Sequence, residues 1–340
     1  MLENDLIIRA ARGEKTKKIP VWLMRQAGRV LPEYRTTRSK AKDFIEFVKT
    51  PELCAEATIQ PVDIFKVDAA IIFSDILVIP ESMGLPYSML ESKGPVFPKF
   101  IQTEKDISQL HIANQNDYFY VTDAIRLAKK HLNNRVPLIG FSGAPWTLYA
   151  YMTEGKGSKT FNNAKKWLYT NPDLSHQLLQ KITSSVINYL KDQVQAGADI
   201  IQLFDSWAGV LNKELYQQFC IPYLKQICTS ITEVPVIIFA KDGHFALKGL
   251  NNLPCSVIGL DWTIEPEYAI SIVNNKTLQG NADPCLLYAD DKVIEQQTKK
   301  MLEKFSLVPY IANLGHGLYP DIDKEKVKLF VEVIHNFERN

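Results

Sequence analysis

Ala69-Ala70-Ile71-Ile72-Phe73, followed at once by Ser74-Asp75-Ile76-Leu77, is an apolar run without polar alternation that gives way to a carboxylate. Unbroken β-favouring runs of this kind mark strands buried on both faces, the habit of parallel sheets covered by helices. The same figure recurs in both directions along the chain. Towards the N-terminus, Ile19-Pro20-Val21-Trp22-Leu23 leads into Met24-Arg25-Gln26-Ala27-Gly28-Arg29. Towards the C-terminus, Val136 to Phe141 leads into Ser142-Gly143-Ala144, and Asp199 to Phe204 into Asp205-Ser206-Trp207. Val234 to Phe239 precedes Lys241-Asp242-Gly243-His244, and Val257 to Leu260 precedes Asp261-Trp262. Thr277 to Gln279 runs into Gly280-Asn281, and Tyr310 to Asn313 into Leu314-Gly315-His316-Gly317.

Helical patterns fill the gaps. One opens at Thr50-Pro51 and ends near Phe65; others cover about 118–132, 158–170, 172–196 and 212–230, with two more starting near 265 and 291. About eight apolar strands alternating with helices predict an α/β fold, a single (β/α)8 TIM barrel spanning residues 1–340. In such a barrel the C-terminal ends of all strands open on one face, where active sites are built. Residues 80–104, rich in Gly and Pro, are expected to leave the core as a rim hairpin or lid.

The 340-residue chain is 46% hydrophobic and carries 39 Lys+Arg against 38 Asp+Glu, a net charge of +1. That balance provides no global field for nucleic acid or an anionic membrane, so any preference for anions has to be local. The five cysteines are scattered, without a C-x-x-C pair, which argues against a zinc ribbon or a disulfide framework and fits a reducing compartment. The acidic start and the lack of a long apolar run give no secretory signal or membrane span; a cytoplasmic protein is expected.

Residues just past the strands form the candidate site. Arg25 and Arg29, split by Ala27-Gly28, place two planar, permanently charged forks at one strand end, an arrangement suited to clamping carboxylate or phosphate. Gly28 would let the backbone come close to the bound group. Arg38 is a further candidate for the same anion, whereas Lys40 and Lys42 read as a solvated face. Asp75 lies among apolar residues, where an idle carboxylate is expensive to desolvate, although an N-cap is the usual job of an Asp there. Tyr149 and Tyr151 are two apart, so on a helix at most one faces the site. Ser206 lacks a G-x-S-x-G frame and reads as a hydrogen-bond donor, and His316 sits between glycines after the last strand. Trp146 is expected in the core. Gly155-Lys156-Gly157-Ser158 lacks the spacing of a phosphate loop and reads as a turn.

At these residues the chain resembles the uroporphyrinogen decarboxylase family. The resemblance rests on Pro20 to Arg29 continued by Leu31-Pro32-Glu33-Tyr34-Arg35, and on Gly140 to Leu148 with Tyr151 and Glu154-Gly155. It extends to Phe73 to Leu77 and Asn313 to Gly317, so it runs over essentially the whole chain. It implies a single barrel, paired as a homodimer, that works without metal or organic cofactor. The implied substrate is uroporphyrinogen III, whose acetate arms lose carbon dioxide to become methyls, giving coproporphyrinogen III. Arg25, Gln26, Ala27, Gly28 and Arg29 then match the substrate-binding turn, Arg38 an outer anion contact and Asp75 the central carboxylate. Tyr151, Ser206 and His316 match the remaining contacts, with Asp75, Arg25 and Arg29 as the catalytic set. Asp205 stands where some members carry Glu, a conservative departure.

Two other readings compete. A cobalamin-dependent methyltransferase of the same superfamily would need a zinc site of His and Cys ligands, yet His244 has no cysteine two residues on. A non-catalytic tetrapyrrole carrier would keep the cationic clamp without releasing carbon dioxide.

Overall fold

The computed structural model describes residues 2–90 and 94–339. Nine strands are present among them: β1 (Ala70–Ile71), β2 (Ser88–Leu90), β3 (Gly94–Val96), β4 (Leu138–Gly143), β5 (Ile200–Asp205), β6 (Val236–Ala240), β7 (Val257–Gly259), β8 (Thr277–Ala282) and β9 (Tyr310–Leu314). Seven of them pair in parallel in the order β1-β4-β5-β6-β7-β8-β9, each followed by helical segments on the outside. The remaining two, β2 and β3, form an antiparallel hairpin apart from the main sheet. This is the hairpin expected within 80–104; residues 91–93 of that span lie outside the described residues.

The eighth barrel position differs from the strand expected over Ile19–Leu23. Only Val21 pairs, bridging in parallel to Ala312 of β9. On its other side the Val21 carbonyl accepts from the Asp68 amide at 2.8 Å, just ahead of β1, so the ring of backbone contacts closes. A regular ladder cannot form there because Pro20 has no N–H to give and the Val21 amide is taken by the Asp68 carboxylate at 2.8 Å. Asp68 is 5% exposed, and it also accepts from Asn4 Nδ2 at 2.7 Å and meets His335 Nε2 at 3.1 Å. One side chain thereby ties the barrel seam to both chain ends. Asp68→Ala leaves the Val21 amide buried without an acceptor, and the expected loss of stability is about 1–3 kcal/mol for that group alone. Denaturant unfolding checks it; an unchanged midpoint would remove Asp68 from the seam.

The strands are apolar because both faces are covered. Every residue of β4, β6, β7, β8 and β9 is buried. Inside the ring a polar chain runs across the barrel: Trp22 Nε1 donates to Gln279 Oε1 at 2.8 Å, and Gln279 Nε2 to Gln202 Oε1 at 3.3 Å. All three are fully buried, so pairing is what makes these amides tolerable in the interior. Helix boundaries follow local signals. Pro51 opens Pro51–Phe65, and Gly197, at φ 119, ends Pro172–Ala196 in the left-handed region that favours glycine. The single helix expected over 212–230 is instead two, Lys213–Phe219 and Ile221–Ser230, broken where Pro222 cannot supply an amide. No helix among the described residues is long and apolar enough to cross a membrane.

Candidate active site

The strand ends open on a cavity of about 540 Å3. Its floor is aromatic: Phe141 of β4, Phe204 of β5 and Phe239 of β6 stack edge to face, with ring centres 5.6 and 6.3 Å apart. Edge-to-face contact lets the positive ring edges meet the negative faces, giving a rigid apolar surface. Charged and polar groups stand around its rim, among them Arg25, Asp75, Tyr151, Ser206, Lys241 and His316, while Met89 and Pro95 of the hairpin cover one side.

Arg25 is set by its backbone. It sits at φ 62, a left-handed conformation that costs a non-glycine residue about 1–3 kcal/mol. The turn is held on both sides: the Met24 amide donates to Asn313 Oδ1 at 3.1 Å, and the Leu318 amide to the Met24 carbonyl at 2.9 Å. Gly317 completes the arrangement, since a Cβ there would lie 2.3 Å from Arg25 Cδ. The side chain therefore passes over a glycine into the cavity. Arg25 is exposed, but it lines the hollow, and the surrounding protein lowers the guanidinium pKa chiefly by desolvation.

Asp75 follows β1 on the neighbouring wall. Its Oδ1 accepts from the Leu77 amide at 3.1 Å and its Oδ2 from the Tyr87 hydroxyl at 2.6 Å. It makes an Asx-type turn; the helix that follows, Val78–Ser82, has Leu77 as its cap residue. Burial raises the carboxyl pKa, and the Tyr87 bond opposes that rise by favouring the charged form. Removing the bond in Tyr87→Phe should move the acid limb of kcat/KM towards higher pH by about one unit, since an ionised acceptor loses a strong donor. A pH–rate profile superimposable on that of the wild type would show that Tyr87 does not tune this carboxylate.

Tyr151 and Tyr149 part as their spacing requires. Tyr151 lines the cavity against Phe161 and Trp207, whereas Tyr149 is fully buried with its hydroxyl 2.8 Å from Ser175 Oγ. Trp146 is in the core, 1% exposed. Ser206 lines the cavity from the end of β5, and beneath it Asp205 is completely buried. Asp205 accepts from Thr147 Oγ1 at 2.7 Å and from the Tyr216 hydroxyl at 2.9 Å, and burial pushes its carboxyl up to about 6. His316 stands edge-on to Trp262. Desolvation, with Arg25 and Lys241 nearby, depresses its imidazole to about 4, so it is uncharged near neutral pH.

Four expected contacts are placed differently. Gln26 is fully buried and its side chain braces the turn, accepting from the Leu23 amide at 3.0 Å and donating to the Ala69 carbonyl at 3.0 Å. Gly28 serves close approach to the chain itself: a Cβ there would lie 2.9 Å from the Arg25 carbonyl oxygen. Arg29 and Arg38 are not among the residues lining the cavity. Arg29 is exposed, and Arg38 donates to the Ala41 carbonyl at 3.0 Å with its guanidinium over Phe47. Ala27 does line it. Among the described residues no group of three His, Cys, Asp or Glu side chains is placed to hold a metal ion.

The family model described as "Uroporphyrinogen decarboxylase (URO-D)" matches residues 2–337. The chain belongs to the uroporphyrinogen decarboxylase family. It is 49% identical over 350 residues to the uroporphyrinogen decarboxylase of Homo sapiens, covering 99% of this chain and 95% of that one. It is 48% identical over 345 residues to that of Salinibacter ruber, covering 100% and 97%. A methyltransferase from Methanosarcina mazei shares the fold, with a TM-score of 0.83 over 97% of each chain at 20% identity. As a member of the uroporphyrinogen decarboxylase family the chain is a carboxy-lyase. Sequence reasoning passed over three parts of the site. Lys241 carried a usable signal, being the first polar residue after β6, while Trp207 directly follows Ser206. Tyr87 carried none, because nothing local shows that the excursion returns to Asp75.

Proposed function

We propose that the cavity at the strand ends is where this carboxy-lyase removes carbon dioxide from the acetate arms of uroporphyrinogen, isomer III, yielding coproporphyrinogen III. The observation that carries the assignment is one hollow with an apolar floor that holds both a hydrogen-bonded carboxylate, Asp75, and a guanidinium, Arg25.

The chemistry needs a place for the electrons of the broken bond. A pyrrole protonated on a ring carbon is such a sink: the C–CO2 pair moves into the ring as carbon dioxide departs and leaves an exocyclic methylene. That methylene carbon then takes a proton and the ring carbon gives one up, so each acetate consumes one proton net and becomes a methyl. Asp75 accepts pyrrole N–H bonds and steadies the positive ring, an electrostatic effect strengthened where water is excluded. Arg25 holds a carboxylate arm through its fork. His316, uncharged at neutral pH, offers hydrogen bonds and is no store of protons there. Tyr151 and Ser206 supply hydroxyls to the macrocycle's polar edge. Arg29 and Arg38, outside the cavity wall, serve arms that extend past the mouth. The reading treats the whole chain as one barrel acting as a homodimer in the cytoplasm, where the reduced state of its free cysteines would persist.

The test is incubation of purified protein with uroporphyrinogen under reducing, oxygen-free conditions, with chromatography of the porphyrins after oxidation. Conversion of the octacarboxylate to the tetracarboxylate is expected. Recovery of unchanged octacarboxylate would overturn the assignment.

A further inference from the structure

We infer that Lys241 is a second carboxylate-binding pole of the site, opposite Arg25; the inference rests on the tetrapyrrole reading above. Val21 takes the place between β9 and β1, so Val21, β1, β4, β5, β6, β7, β8 and β9 form the closed ring. Arg25 follows Val21 and Lys241 follows β6, which is four steps away in either direction. The two cations therefore rise from opposite walls. A macrocycle with acid arms on all four pyrroles presents carboxylates on opposite edges, and a single arginine cannot meet both.

Lys241 is also built in. Its amide donates to the Asp205 carbonyl at 3.1 Å and its carbonyl accepts from the Gly209 amide at 3.0 Å, so the residue is anchored to the loop that carries Ser206 and Trp207. Its ammonium lies 5.5 Å from the centre of the Trp262 ring and pairs with the carboxylate of the adjacent Asp242. The plain alternative is an ion pair that only satisfies the lysine. Three features speak against it: Lys241 lines the cavity, its side chain is 25% exposed, and Asp242, 47% exposed, faces solvent more than its partner does. A lysine with no task beyond solvation would extend its head into water. In this arrangement Asp242 occupies the ammonium, and an incoming acid arm competes with it for the same protons.

The test is fluorescence titration with uroporphyrin, the oxidised octacarboxylate, together with steady-state kinetics on uroporphyrinogen. Lys241→Met should weaken the uroporphyrin Kd and raise KM by about tenfold, the effect of one charge-assisted bond, with kcat little changed. Lys241→Arg should restore most of the loss, a recovery that a packing role would not give. Asp242→Asn should tighten binding, because the competing carboxylate is gone. Binding by Lys241→Met within twofold of the wild type, or no recovery in Lys241→Arg, overturns the inference. If thermal melts show Lys241→Met to be unfolded, Asp242→Asn decides: tighter binding supports the inference, and unchanged or weaker binding overturns it. A wild-type protein that binds uroporphyrin but releases no carbon dioxide removes the catalytic reading and leaves this one standing. An active wild type with an unaffected Lys241→Met does the reverse.

Discussion

Asp75→Asn is expected to lower kcat on uroporphyrinogen by roughly 10²–10³-fold while leaving uroporphyrin binding within a few-fold, the loss typical when one preorganised electrostatic partner of a transition state is removed. The substitution keeps size and shape: the Asn oxygen can still accept from the Leu77 amide, and the Tyr87 hydroxyl can turn to accept from the Asn NH2 in place of its present bond. What disappears is the negative charge. The ground-state macrocycle is neutral at its core and gains a positive charge only when a ring carbon is protonated. An interaction realised mainly in that state acts on kcat rather than on KM. Burial already disfavours ionisation of Asp75, so its charge is costly to maintain and strong in effect. Near-normal turnover by the variant would show that no cation is stabilised by this residue.

Arg25→Met should act on the other parameter, raising KM by about 10–100-fold through the loss of a charged, bidentate hold on one acid arm. Lysine is not expected to rescue it, because a point charge does not reproduce the planar fork. The same contact can be disturbed from across the turn. Gly317→Ala would put a methyl 2.3 Å from Arg25 Cδ and must displace the guanidinium, so it should reproduce part of the Arg25→Met defect without touching a charge. Steady-state kinetics on both variants checks the pair. An unchanged KM in Arg25→Met would take this arginine out of the clamp.

The barrel was legible because its strands are buried on both faces and therefore read as unbroken apolar runs. A polar residue in the first few positions after each run was then expected at the common mouth. Arg25, Asp75, Ser206 and His316, picked in that way, line the cavity, and so does Lys241, which was quoted after its run but not picked, whereas Asp205, just ahead of Ser206, is buried beneath. That expectation failed within the Arg25 turn. There adjacent residues point in opposite directions, so Gln26 braces Ala69 while Arg25 enters the cavity, and a contiguous motif does not say which side chain faces which way. The Val21 seam was overestimated as a strand because its apolar residues were visible, whereas the Asp68 carboxylate that replaces a ladder bond is 47 positions distant. The break at Cys220 was missed for a similar reason: the apolar pattern continues through Pro222, and only the missing amide divides the helix. Tyr87 reaches Asp75 through a tertiary path that no local pattern encodes.

In this mechanism the substrate's own protonated ring accepts the electrons while Asp75 steadies it. The most direct measurement compares carbon dioxide released by the wild-type protein from uroporphyrinogen and from uroporphyrin, side by side without oxygen. Only the reduced macrocycle has isolated pyrroles that can be protonated on a ring carbon, so release from uroporphyrinogen alone is predicted. Comparable release from the aromatic porphyrin would show that the electrons do not pass into a protonated pyrrole.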